Sequence, residues 1–156
     1  MLPYLHLSTL TEDGSFSSAR AQRLFENPAA QEKLLSELLR VARERGYRGF
    51  DLDFEFVEPE YAADYAAFAG RVREIARLIG GELITALAPK VSADQPGVLY
   101  EGHDYAALAA NSDAVLLMTY EWGYTYGPPM AVSPLPSVRR VLDYAVTEIP
   151  PEKIFM

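Results

Sequence analysis

Extended segments open near residues 49, 82, 114 and 152, and one helical stretch separates each from the next. This recurrence at the length of a βα unit restricts the fold more than any other property of the chain. With one further strand at the start, the order is β-α-β-α-β-α-β-α-β, which predicts a parallel sheet with helical crossovers. Doubly wound sheets and (β/α)8 barrels both have that order. A dinucleotide-binding sheet, however, carries a Gly-rich phosphate turn after its first strand, and none is present. The expected class is therefore α/β, a (β/α)8 TIM barrel. A complete barrel takes about 250 residues and eight strands. Residues 1–156 are accordingly expected to form one incomplete piece of a barrel, with two unclosed sheet edges.

Local signals place the elements. Pro3 to Ser8 reads as the first strand, followed by turn-rich Thr9 to Ser18 with a bend at Asp13-Gly14. Asn27-Pro28 supplies a cap and a first-turn proline to a helix carrying Leu34, Leu38 and Val41, which Gly46 stops. A second helix opens at Glu58-Pro59. Its Tyr61, Tyr65, Phe68, Val72, Ile75 and Ile79 form one stripe, the pattern of a core face rather than a ligand box, and Gly80-Gly81 end it. Glu82 to Ala88 is a strand stopped by Pro89, and the Lys90 to Gly102 loop leads to a short helix around Tyr105 to Ala110. Asp113 to Tyr120 is a strand apolar on both faces. A loop from Glu121 to Pro136, a helix from Ser137 to Thr147, the break at Pro150-Pro151 and a strand beginning at Lys153 complete the chain.

Within that frame, Gly49 to Phe56 alternates acids with large apolar residues. Side chains of a strand alternate faces, so Asp51, Asp53 and Glu55 point one way and Phe50, Leu52, Phe54 and Phe56 the other. Same-face neighbours lie about 6.5 to 7 Å apart, so the three carboxyls feel one another and at least one should hold its proton unusually well. The plain alternative is a solvated acidic face on an edge strand.

Sites in parallel sheets gather at the carboxyl ends of strands. Glu55 lies at that end, together with Pro89-Lys90 and with Met118, Thr119, Tyr120, Glu121 and Trp122. Carboxylates, a tyrosine hydroxyl and a tryptophan ring suit a sugar, whose polar groups take hydrogen bonds while its apolar ring face takes an aromatic plate. Taken singly, Tyr120 would be a capped core tyrosine, Trp122 a loop anchor and Glu121 a solvated rim acid. Their adjacency at one strand end favours a site. His6 is expected to pack near the end of the first strand. In Glu101-Gly-His103-Asp104, Asp104 is expected to cap the next helix rather than bind a metal.

Composition narrows the partners. Net charge −8, from 22 acids against 14 Lys and Arg, argues against phosphate backbones and anionic membranes, so neither nucleic acid nor membrane is an expected partner. With no cysteine, disulfides and thiolate metal sites are excluded. No apolar run reaches the roughly 18 residues needed to span a bilayer. The first residues lack a signal layout, so export would have to be encoded outside this sequence.

Gly49-Phe-Asp-Leu-Asp-Phe-Glu55 resembles the D-G-x-D-x-D-x-E signature of family 18 glycoside hydrolases, and Met118-Thr-Tyr-Glu121 resembles that family's M-x-Y-D/E strand. Ala86-Leu-Ala-Pro-Lys90, Ser92 to Gly97, Tyr100-Glu-Gly-His-Asp-Tyr105 and Met118 to Tyr124 are more narrowly similar to its spore-cortex-lytic N-acetylglucosaminidases. The likeness runs from about Tyr4 to the last residue and implies barrel strands three to six with the start of the seventh. Arg48 stands where the signature begins with Asp or Asn, while Asp51, Asp53 and Glu55 are in place.

The resemblance implies a catalytic barrel that hydrolyses β-1,4-linked N-acetylglucosamine glycans, spore-cortex peptidoglycan before chitin, at the cell wall, in the spore cortex or outside the cell. The substrate's own acetamido group is the nucleophile in this family. Glu55 would then be the general acid and base, Asp53 the partner of the acetamido N–H, and Asp51 a neighbour sharing a proton with Asp53. Tyr120 would hold the acetamido carbonyl, with Met118, Glu121 and Trp122 binding substrate. No cofactor and no metal are implied, and the polysaccharide is the partner. Two alternatives stay open: a carbohydrate-binding barrel without catalysis, and a metal-dependent barrel enzyme using the Asp-x-Asp-x-Glu face.

Overall fold

The structure is a computed structural model that describes every residue except Met1, Tyr124 and Thr125. Tyr124, the last residue of one stretch that carries the resemblance, thus lies outside the described residues. Five strands form one parallel sheet in sequence order: β1 (Leu5–Ser8), β2 (Gly49–Asp53), β3 (Glu82–Leu87), β4 (Ala114–Leu117) and β5 (Ile154–Phe155). Neighbours in the chain are neighbours in the sheet, as right-handed βαβ crossovers in a barrel produce. The expected α/β architecture is present, a partial barrel with β1 and β5 at its edges.

Ladder register separates the two faces of the sheet. Leu5 pairs with Phe50, His6 with Asp51, Leu7 with Leu52 and Ser8 with Asp53, while Asp51 pairs with Ile84 and Leu52 with Thr85. His6, Asp51, Asp53 and Ile84 therefore share the concave face, and Phe50, Leu52, Leu83 and Leu87 face the helices. Phe50, Leu52 and Phe54 are buried there. At about 1.5–3 kcal/mol for each large apolar side chain removed from water, this face alone fixes the register, because a one-residue slip would bury the acids instead.

The helices cover that face. Helix α2 (Pro28–Arg45) is capped by Asn27, whose side chain accepts from Ala30 N, and ends on Gly46 in the left-handed region at φ 71°. Its buried residues are Leu35, Leu38 and Ala42: Leu38 is as expected, and the other two stand one position beyond the expected Leu34 and Val41. A 3-10 turn at Pro59–Tyr61 leads into α3 (Ala62–Arg77), which buries Tyr65, Phe68 and Val72 of the expected stripe. The rings of Phe25, Phe54, Tyr65 and Phe68 pack together, with Phe54 stacked 5.6 Å from Tyr65 and 5.8 Å from Phe68. Helices α4 (Tyr105–Ala110) and α5 (Leu135–Glu148) follow, and α5 starts two residues before the expected Ser137.

Helix α1 (Ser18–Phe25) is not anticipated by the sequence pattern. It is capped by the Ser17 side chain on Arg20 N and buries only Ala21 and Phe25, too few apolar positions to register as periodicity. Two strands also end three residues before the expected point. Regular pairing ends at Asp53 in β2 and at Leu117 in β4, and the residues that follow run on as irregular rim segments. The alternation predicted through Phe56 therefore stops early. Phe56 takes φ 56°, is 36% exposed, and sets its ring 6.5 Å from Phe16 instead of entering the core.

Candidate active site

Because β2 ends at Asp53, Glu55 stands beyond the ladder, on the rim where β3 and β4 also end. A cleft of about 280 Å³ opens there. Glu55, Met118, Tyr120, Glu121 and Trp122 line it, and Pro89, Leu99 and Tyr100 complete its wall. The chain thus brings together five of the seven expected site residues. Leu99 and Tyr100 belong to the long loop after β3, where no periodicity singles them out. Lys90, a neighbouring strand-end candidate, turns away: its ammonium is buried and donates to His103 O at 3.0 Å.

Asp53 and Asp51 lie behind Glu55 along the concave face rather than in the cleft wall. Asp53 is the more enclosed, 16% exposed against 32% for Asp51. Asp51 is therefore not the more buried of the pair, because it opens toward an apolar hollow of about 320 Å³ walled by Tyr4, Ile84, Leu116 and Phe155. Asp51 Oδ2 lies 2.7 Å from His6 Nδ1, and Asp53 Oδ2 lies 3.9 Å from His6 Nε2. His6 thus contacts both acids, a role beyond the strand-end packing expected of it. The remaining oxygens, Oδ1 of Asp51 and Oδ1 of Asp53, are buried without a hydrogen-bond partner.

The electrostatics follow from this enclosure. Burial raises the Glu55 carboxyl above its ordinary range, and the charges of Asp53 and Glu121 add to the rise. Burial also raises Asp53, helped by Asp51 and opposed by His6. Burial lifts the Tyr120 hydroxyl, and the surrounding acids lift it further, so it remains a hydrogen-bond donor at neutral pH although the residue is 42% exposed. Glu121, at φ 58°, holds left-handed backbone, which turns the chain where Trp122 joins the cleft.

A second set of groups fixes the rim from behind. Buried His103 bridges Phe54 and Ala88, with Nε2 3.0 Å from Phe54 O and Nδ1 2.9 Å from Ala88 N. An amide N–H can only donate, so Nδ1 accepts and Nε2 carries the proton. The buried hydroxyls of Tyr65 and Tyr105 serve the backbone of the same two residues: Phe54 N donates to Tyr65 at 3.4 Å, and Tyr105 donates to Ala88 O at 2.5 Å. Asp104 caps α4 through Ala107 N at 2.9 Å, as expected. Among the described residues, no three His, Cys, Asp or Glu side chains are arranged to hold a metal ion.

Comparison with known proteins gives a consistent picture. The family model described as Glycosyl hydrolases family 18 matches residues 11–156. The chain is 44% identical over 148 residues to the cortical fragment-lytic enzyme of Bacillus subtilis (strain 168), covering 95% of this chain and 34% of that protein. The crystal structure of the Bacillus megaterium QM B1551 spore cortex-lytic enzyme SleL superposes with a TM-score of 0.92 at 38% identity, over 100% of this chain and 35% of that one. A class V chitinase from Pseudomonas fluorescens Pf-5 gives a TM-score of 0.89 at 31% identity, over 98% of this chain and 48% of that one. The chain spans about a third of the length of the cortical fragment-lytic enzymes it matches.

Proposed function

The chain belongs to glycosyl hydrolase family 18, and from that premise we propose that the full-length protein hydrolyses β-1,4-linked N-acetylglucosamine glycans. Spore-cortex peptidoglycan is the substrate, ahead of chitin. The cortical fragment-lytic relative at 44% identity supports that order, and supports the spore cortex or cell wall as where the protein works. No described helix is long and apolar enough to cross a membrane. Residues 1–156 are a piece of the catalytic barrel, and the polysaccharide is its partner.

The observation that carries this reading is one carboxyl, Glu55, held above its ordinary pKa in the wall of a cleft shared with Tyr120 and Trp122. An acid whose pKa is raised holds its proton to higher pH and can give it to a glycosidic oxygen. As that bond breaks, the acetamido carbonyl oxygen of the same sugar attacks the anomeric carbon, and an oxazolinium ion forms while the leaving sugar departs as an alcohol. The Glu55 carboxylate then takes a proton from the water that opens the ring, and configuration is retained.

Asp53 accepts a hydrogen bond from the acetamido N–H and offsets the charge developing on the ring. Asp51 shares a proton with Asp53. The two buried and unpartnered Oδ1 atoms support this, since such oxygens are costly unless a proton serves them. Tyr120 donates to the acetamido carbonyl and aligns it. Met118 and Trp122 present apolar surface to the sugar, and Glu121 takes its hydroxyls.

The test is the full-length protein and its Glu55→Gln form incubated with purified cortex fragments, with released reducing ends followed over time. The variant is expected to bind the fragments and release none above background. Equal release by both forms would remove Glu55 from the mechanism.

A further inference from the structure

The last paired residues of β2 and β3 are Leu52 and Thr85. Beyond them the strands part, yet Phe54 and Ala88 are both buried and their peptide groups need partners. The partners come from side chains. His103 spans the gap as a neutral imidazole, donating to Phe54 O and accepting from Ala88 N. Tyr65 takes the Phe54 N–H from the helix side, and Tyr105 donates to Ala88 O while accepting from Lys90 N at 2.9 Å.

Phe54 is therefore held at both its N–H and its C=O, and the next residue in the chain is Glu55. The loop that delivers His103 is itself seated against the segment after Glu55, because a Cβ on Gly102 would meet Val57 O at 2.1 Å. None of these side chains lines the cleft.

We propose that His103 is a positioning residue for Glu55, bridging the parted ends of β2 and β3 in place of ladder bonds so that the carboxyl is held at its depth in the cleft. This rests on Glu55 being the acid. Holding a reacting group to within a fraction of an ångström is worth large factors in rate, and a displacement of about 1 Å can cost about 100-fold. Depth also raises the pKa of the carboxyl, since burial is the first cause of that rise. Loosening the Phe54 peptide should therefore act on turnover and on the pH profile together.

The full-length protein, with His103→Leu, His103→Gln, Tyr65→Phe and Glu55→Gln forms, tests this on purified cortex fragments. His103→Leu keeps bulk but removes donor and acceptor, whereas Gln retains one of each. The expected results are a fall in kcat of about 10- to 100-fold for His103→Leu and about 5-fold or more for Tyr65→Phe. KM should stay within about twofold, the alkaline limb of the kcat profile should move to lower pH, and His103→Gln should recover most of the loss.

An inactive Glu55→Gln form beside a Tyr65→Phe form with unchanged kcat and unchanged alkaline limb would overturn the positioning role while leaving the acid assignment standing. Parallel losses in kcat and active-site content with no shift of the limb would also overturn it, as the mark of a merely structural role. If His103→Leu fails to fold, Tyr65→Phe carries the same decision. An active Glu55→Gln form would instead fail the functional reading itself.

Discussion

His6 Nδ1 on β1 lies 2.7 Å from Asp51 Oδ2 on β2, at positions that pair directly in the parallel ladder. Two residues on, Ser8 pairs with Asp53, so the imidazole leans along the concave face and its Nε2 comes within 3.9 Å of Asp53 Oδ2. A single side chain on the edge strand thereby touches both acids behind Glu55. Its charge lowers the Asp53 pKa against the raising influences of burial and Asp51.

Replacing His6 with Ala should consequently raise the Asp53 pKa. In the proposed mechanism Asp53 is ionised to offset a developing positive charge, so the acid limb of the kcat profile should move upward. The alkaline limb, which the proposed mechanism assigns to Glu55, should stay in place. Steady-state rates of the full-length His6→Ala form across pH check this. An unmoved acid limb would show that His6 does not tune Asp53.

Glu121 lines the same cleft as Glu55, and its charge raises the Glu55 pKa. A Glu121→Gln form removes that charge and retains the shape of the side chain. The Glu55 pKa should then fall and the alkaline limb move to lower pH, though not far, because Glu121 is exposed and water screens it. The shift should shrink further at high salt. A limb that is equally placed in both forms at low ionic strength would remove Glu121 from the electrostatics of the acid.

Much of this arrangement is legible along the chain, because it depends on neighbours in sequence. Strand period two puts Asp51, Asp53 and Glu55 on one side, and the parallel βα order puts Glu55 beside Met118 to Trp122 at the rim. Other features depend on contacts that no local pattern encodes. His103 and Phe54 stand 49 positions apart, and nothing in Glu101-Gly-His103-Asp104 signals that the imidazole completes the backbone bonding of another strand. Phe56 leaves the alternation because its backbone turns left-handed at φ 56°, which the apolar character of the residue conceals. The greater exposure of Asp51 than of Asp53 depends on the hollow next to it, a property of the whole sheet.

The bridge at His103 also predicts a dependence of stability on pH. Burial lowers the folded-state pKa of His103 from 6.5 to about 4, opposed by its bond to Phe54 O. Between those values the unfolded chain binds a proton that the folded chain does not. Stability should therefore be fully present above pH 6.5 and decline as pH falls through about 4, by about 3 kcal/mol in all. His103→Gln cannot titrate, so its stability should depend less steeply on pH over that window. Urea unfolding of both forms from pH 7 to pH 4 measures the difference, and identical slopes would mean that His103 is not held neutral in the fold.

Gly102 immediately precedes that histidine, and its lack of a side chain sets how near the loop can come to the segment after Glu55. A Cβ there would lie 2.1 Å from Val57 O, 2.6 Å from Val57 C and 2.7 Å from Val57 Cβ. Two of these are backbone atoms, and Val57 is buried, so the neighbour cannot swing aside as a flexible surface side chain would. Gly102→Ala must then push the loop outward, drawing His103 away from Phe54 O and Ala88 N. Overpacking of this kind costs about 1–3 kcal/mol, and unpairing two buried peptide groups adds to it. A loss of about 2 kcal/mol or more is expected in urea unfolding at pH 7, with faster amide exchange at Ala88. Gly14 offers the contrast: no atom lies within 4 Å of its would-be Cβ, so Gly14→Ala should cost only the strain of its φ of +84° and leave Ala88 exchange unchanged. If Gly102→Ala also left Ala88 protected and the unfolding midpoint unmoved, the close approach of the His103 loop to Val57 would not be what secures the rim.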